Sequence, residues 1–252
     1  MVSSRTPHAA VVRERRQLSD HLVRLVLETD GSLATTGLPD EWLALTVPGQ
    51  FQTRYYTVRR LEGRELVLDV VVHDEGLVTA WAARHDCVGD TVGLGAPKGS
   101  FEPPDDAGWV VLAGDLTALP AMARIAEHLA ATRPDLPLQL HAESPDGPLE
   151  DYLAAPTTWH HADPGSSDLA RVVAGLDWPA GPGYFWMAGE SAQMREIRRH
   201  VRRDLGQDTR HHDVMGYWSG SRGRQARRVD PPPAYASWTS TTTRTTTSED
   251  TA

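Results

Sequence analysis

Near residue 105 the hydrophobic pattern of this 252-residue chain changes period, and that change limits the folds open to it. From about residue 8 to 104, apolar and β-branched residues come in short runs: Ala10-Val11-Val12, Leu22 to Leu27, Trp42 to Val47, Tyr55 to Val58, Leu66 to Val72, and Thr91 to Leu94. Gly, Pro and Asp divide them, and so many short strands with turns between them predict a barrel or sandwich. One short helix, Leu77 to Arg84, is expected after Gly76. From about residue 108 to 218 the rhythm differs. Trp109-Val110-Val111-Leu112-Ala113 is continuously apolar and ends in Gly114-Asp115, the pattern of a strand covered on both faces. Within Leu116 to Ala131, Leu119, Met122, Ile125, Ala126 and Leu129 recur at helical spacing. Leu138 to Ala142, Tyr184 to Ala188 (ending in Gly189) and His212 to Trp218 are further strands, and Ser191 to Leu205 a second helix. Strand–helix alternation of this kind implies a parallel, doubly wound sheet. The expected fold is an antiparallel β-barrel over residues 8–104 followed by a parallel-sheet α/β domain over 105–229. Residues 230–252, with Pro231-Pro232-Pro233 and a Thr/Ser-rich run, have little to bury and read as a disordered tail.

The net charge of −9 argues against nucleic acid as a partner. A single cysteine, Cys87, rules out an internal disulfide and a cysteine-ligated zinc or iron–sulfur site within one chain, and it reads as a buried thiol. Apolar runs of 18 residues are absent, so no membrane insertion is expected. Without a hydrophobic leader in Met1 to Arg16, the cytoplasm is the default location. The adjacent pairs His160-His161 and His211-His212 read as loop and surface residues rather than metal ligands.

Arg54-Tyr55-Tyr56-Thr57-Val58-Arg59 carries the strongest chemical signal. Side chains alternate along a strand, so one face presents a guanidinium (Arg54), an aromatic plane (Tyr56) and, if the strand bends after Tyr56, a hydroxyl (Thr57). A flavin dinucleotide needs those groups: a cation for the pyrophosphate, a ring to stack on the isoalloxazine, and a donor near its reactive nitrogen. His73-Asp74-Glu75-Gly76-Leu77-Val78-Thr79 follows, with Gly76 opening a helix whose free N–H groups suit a phosphate and Thr79 adding a hydroxyl. The glycine-rich stretch Val88 to Phe101 reads mainly as a hairpin and closing loop, with Lys98 able to meet a phosphate. Gly114-Asp115-Leu116-Thr117 leaves a buried strand and opens a helix, which is where open α/β sheets bind ligands, and Ala188-Gly189-Glu190 repeats the arrangement.

Taken in order, these motifs, together with Gly89-Asp90 through Phe101 and Gly216-Tyr217-Trp218, resemble the siderophore-interacting protein family, the flavin-dependent ferric-siderophore reductases of the ferredoxin-reductase-like superfamily. The resemblance runs from about Arg13 to Arg228. It implies FAD held by Arg54, Tyr56, Thr57, His73, Val78 and Thr79, with Arg59 and Gly76 in the same two motifs. NADPH or NADH would bind near Gly114, Asp115, Thr117, Ala188, Gly189 and Glu190, and a ferric siderophore would accept the electrons. The chain departs from the family at Leu116, where an acidic residue is usual, which leaves a ferredoxin as an alternative donor. Leu43-Ala44-Leu45 also lacks the basic residues common there. Arg222, Arg224, Arg227 and Arg228 form a local positive field in an acidic chain and are candidates for holding an anionic ferric siderophore. The rival readings are another flavin reductase with a different acceptor, and a flavin- or siderophore-binding protein without turnover.

Overall fold

The computed structural model describes residues 8–50, 53–73, 76–149 and 151–220. Six antiparallel strands close into a barrel: β1 (His8–Ser19), β2 (Leu22–Thr29), β3 (Trp42–Thr46), β4 (Arg54–Glu62), β5 (Glu65–Val71) and β6 (Thr91–Leu94), in the order β1-β2-β5-β4-β3-β6. Strand β2 shows the alternation that builds it. Leu25, Leu27 and Thr29 are buried, while Arg24, Val26 and Glu28 between them are less so. Val23, Leu25, Leu43, Leu45, Val58 and Leu68 meet inside the barrel. Helix α1 (Leu77–Ala83) packs Val78, Trp81 and Ala82 into the same core, and the Trp81 indole N–H donates to Asp90 (2.8 Å).

The second half is a five-stranded parallel sheet in the order β11-β10-β7-β8-β9, formed by β7 (Val110–Gly114), β8 (Leu138–Ser144), β9 (Thr157–His161), β10 (Tyr184–Glu190) and β11 (His212–Trp218). Helix α2 (Leu119–Thr132) covers one face, and α3 (Leu169–Ala174) with α4 (Met194–Arg199) the other. Every residue of β7 and β10 is buried. Val110 and Leu112 face Leu119, Met122 and Ile125 of α2, whereas Val111 and Ala113 face Leu169 and Ile197. The barrel followed by a parallel α/β sheet is the fold the sequence predicts.

Local differences have local causes. Helix α2 begins at Leu119 rather than Leu116, because Asp115 accepts the Thr117 N–H (2.9 Å) and holds a separate turn before Pro120 enters the first turn. Beyond Arg199 the expected helix continues only as a wider turn over His200–Asp204. Strand β9 and helix α3 have no counterpart in the sequence reading, and β9 puts His160 and His161 on a strand instead of a loop. The proposed tail lies outside the described residues.

Among the described residues, five polar bridges join the halves. Asp146 accepts from Ser19 and from the backbone N–H of His21 (3.0 Å). Arg59 pairs with Glu127 of α2. Arg124 of α2 pairs with the buried Glu41 (3.3 Å) and donates to the Val58 carbonyl (2.7 Å). Asp69, its side chain wholly buried on β5, takes two hydrogen bonds from Arg24 (both 2.8 Å) and one from the Tyr152 hydroxyl (2.5 Å). Ser100 lies between Asp40 of the barrel (2.9 Å) and Asp213 of β11 (2.6 Å).

Candidate functional site

The residues chosen from the sequence gather in two places. The first is on β4 and the start of α1. Arg54 is exposed at the strand's beginning and donates to the Thr53 carbonyl (3.0 Å). Tyr56 is half-buried against the barrel core, and burial pushes its phenol well above the usual range, so it stays neutral. Strand β4 does not bend after Tyr56. Thr57 therefore alternates to the opposite side, where it is buried beside Tyr217 of β11, and the register slips only farther on, between Val58 and Arg60. The Thr57 hydroxyl has no hydrogen-bond partner. Arg59 does not join this group: its guanidinium holds Glu127 (2.5 and 3.1 Å) and lies over the Tyr152 ring (5.8 Å).

At α1, Gly76 has φ +123°, and a Cβ there would lie 2.9 Å from the Thr79 hydroxyl oxygen and 3.5 Å from the His73 ring. His73, Gly76 and Thr79 thus enclose a niche that only glycine leaves open. Thr79 donates to the Gly76 carbonyl (2.8 Å). The Val78 side chain points into the barrel core, so what it offers a ligand is backbone. These residues fit an FAD: a surface guanidinium, an aromatic ring, an unpartnered buried hydroxyl and a glycine niche at a helix start.

The second place is the crevice at the carboxyl ends of β7 and β10. Sheet order reverses there, because β8 and β9 follow β7 outward on one side and β10 and β11 lie on the other. Gly114 sits in close contact, since a Cβ would come 2.4 Å from the Ala118 Cβ and 3.1 Å from the Ala188 carbonyl oxygen. Asp115 accepts from the Thr117 N–H (2.9 Å), the Thr117 hydroxyl (2.5 Å) and the Trp218 indole (2.6 Å). Burial pushes its carboxyl up despite these donors, and Glu190 adds to the shift. Glu190 accepts from the N–H groups of Ala192 (2.7 Å) and Gly220 (3.1 Å). Gly114, Asp115, Thr117, Ala188, Gly189 and Glu190 are brought together, with the two carboxylates organising the turns around the crevice.

Sequence reasoning gave no role to Tyr217 or Trp218, and their positions depend on strand order rather than on a local pattern. Tyr217 lies beside Thr57 and next in sequence to Trp218, which pairs with Glu190 and donates to Asp115, and so between the two gathering places. Arg222, Arg224, Arg227 and Arg228 lie outside the described residues. His141 and His160 stack at 5.6 Å between ring centres, and no group of three or more metal-ligating side chains occurs among the described residues.

Residues 8–101 match the model of the siderophore-interacting FAD-binding domain, and residues 107–221 match that of the siderophore-interacting protein. The chain belongs to the siderophore-interacting protein family. Among family structures it resembles a siderophore utilization protein from T. fusca (28% identical, TM-score 0.70, covering 90% of this chain and 95% of that one). A siderophore-interacting protein from Acinetobacter baumannii shares the fold (20% identical, TM-score 0.74, 88% and 95% covered). The NADPH-dependent ferric-chelate reductase of Escherichia coli is 25% identical over 81% of this chain and 80% of its own. Residues 8–101 therefore carry the family's FAD-binding domain, and residues 107–221 its second, parallel-sheet domain. Among the described residues, no helix is long and apolar enough to cross a membrane.

Proposed function

We propose that this protein is an FAD-dependent ferric-siderophore reductase that takes electrons from NADPH or NADH and passes them to Fe(III), releasing Fe(II) for iron assimilation. The observation that carries this reading is the position of Tyr217, beside Thr57 of the flavin motif and next in sequence to Trp218, whose indole holds Asp115 of the crevice (2.6 Å). The flavin motif and the nucleotide crevice therefore open on one another.

When bound, FAD supplies hydride acceptance from a nicotinamide and single-electron release to iron. The chain's own residues supply position and charge. Arg54 offers a cation to the pyrophosphate, and the niche at Gly76 lets phosphate oxygens approach backbone N–H groups. Tyr56 provides a ring to stack against, and Thr57 a hydroxyl without competing partners. Gly114 and Gly189 let Ala118 and Asp115 pack closely where β7 and β10 end at the crevice. None of these tasks needs a general base. An acceptor with anionic ligands is drawn to the positive field of Arg222, Arg224, Arg227 and Arg228. The ferric-chelate reductase activity named for the E. coli relative supports the choice of acceptor.

The test is the visible spectrum of the purified, FAD-reconstituted protein under anaerobic conditions. Flavin bands should bleach with NADPH or NADH and return on adding a ferric siderophore, with Fe(II) trapped by a chelator. Bands that bleach only with a reduced ferredoxin would reassign the donor. A protein that takes up no FAD would refute the reading.

A further inference from the structure

Resting on the FAD reading above, we propose that Tyr217 is a cofactor-positioning residue whose hydroxyl, together with that of Thr57, donates to one acceptor edge of the bound flavin ring. Both hydroxyl oxygens are fully buried, and neither has a hydrogen-bond partner. They come from different domains, Thr57 from β4 of the barrel and Tyr217 from β11 at the end of the parallel sheet. They face one another within reach, so that against burial and Asp40 the phenol's pKa is drawn down by Thr57, but outside good hydrogen-bond geometry.

Buried polar groups in folded proteins are nearly always paired. Two adjacent orphans, one from each domain, mark a place built for a third group. An acceptor satisfies both. Burial first, and then the nearby Asp40, hold the Tyr217 phenol well above its ordinary pKa, so it remains an O–H donor. Asp213 and Asp115 are also neighbours of this phenol and act in the same direction. A threonine hydroxyl donates as readily as it accepts. The oxidised isoalloxazine edge, with a carbonyl oxygen beside an imine-type nitrogen, offers acceptors alone. Thr57 already belongs to the flavin motif, so the same edge is within reach of its neighbour Tyr217.

The proposal separates from a purely structural role through the apo-protein. If the Tyr217 hydroxyl serves only the cofactor, Tyr217→Phe removes an unpartnered group. The melting temperature of the full-length apo-protein should then stay unchanged or rise. FAD affinity, titrated by fluorescence quenching, should weaken about three- to tenfold, the scale of one hydrogen bond. Thr57→Val should weaken it similarly, and the double variant should lose less than the product of the single losses because both hydroxyls grip one group. The flavin absorption bands of reconstituted Tyr217→Phe should shift from those of the wild type. Unchanged FAD affinity in Tyr217→Phe, with wild type binding normally, would overturn the proposal alone. A lowered apo melting temperature would assign the hydroxyl to folding and overturn it too. Failure of the wild type to bind FAD would remove the functional reading and this proposal together.

Discussion

Replacing Tyr152 with Phe removes a single oxygen from the seam between the two halves. That oxygen donates to Asp69 at 2.5 Å, and the Asp69 side chain has no exposure to solvent. A hydrogen bond to a charged group contributes about 1.5–3 kcal/mol. Two considerations place the loss in the lower part of that range. The phenyl ring keeps its contacts with the guanidinium groups of Arg24 (6.0 Å) and Arg59 (5.8 Å). Asp69 also keeps both bonds from Arg24, so its charge is not stranded. The expected cost is about 2 kcal/mol, or a fall of about 4–8 °C in melting temperature for a chain of this size. Calorimetry of apo wild type and Tyr152→Phe measures it directly, and Asp69→Asn in both backgrounds gives the coupling between the two side chains. A loss below about 0.5 kcal/mol, within the range of an ordinary surface substitution, would refute the claim that this bond holds the domains together.

Three further outcomes follow from the same geometry. Burial holds the Asp213 carboxyl above its ordinary pKa, so its contribution to stability is full below about pH 4 and is lost as pH rises through the folded-state value. Asp213→Asn should therefore raise the melting temperature at pH 8 and give little at pH 4, and an equal gain at both would contradict the assignment. Gly76→Ala places a Cβ 2.9 Å from the Thr79 oxygen at φ +123°, a strain of about 1–3 kcal/mol, and should lower the FAD retained through purification. Full flavin occupancy in that variant would show that the niche is not used. Replacing Arg224 and Arg228 with Ala should raise KM for an anionic ferric siderophore while leaving FAD content unchanged, and an unaltered KM would dispose of the arginine cluster as the acceptor site.

The legible parts of this fold are those where one side chain's surroundings repeat along the chain. Trp109 to Ala113 and Tyr184 to Ala188 declare themselves because both faces of β7 and β10 are covered. Strand β9 stays hidden because none of its residues is fully buried and two of its five are histidines, so no apolar period develops. Helix α3 spans only six residues, too few for a helical repeat to register. The flavin motif was visible as residue types, but its geometry was not. Unbroken alternation through Tyr56 sends Thr57 toward the second domain, and a register slip between Val58 and Arg60 accompanies the pairing of Arg59 with Glu127. The juxtaposition of Thr57 and Tyr217 joins positions far apart in sequence through the order of two sheets, and no local pattern encodes it.

Each bridge across the seam draws one partner from either side of residue 105. Neither half can consequently be exchanged without unpairing side chains of the other. A substitution at Asp69 or Glu41 strips a partner from the opposite half, Tyr152 or Arg124, so a change on one side is felt on the other. Grafting this barrel onto the second half of a distant relative would bring together surfaces whose carboxylates and guanidinium groups had been matched to other partners. Swapping acceptor or donor preference between relatives is accordingly a matter of exchanging residues inside the crevice, with both faces of the seam carried along intact.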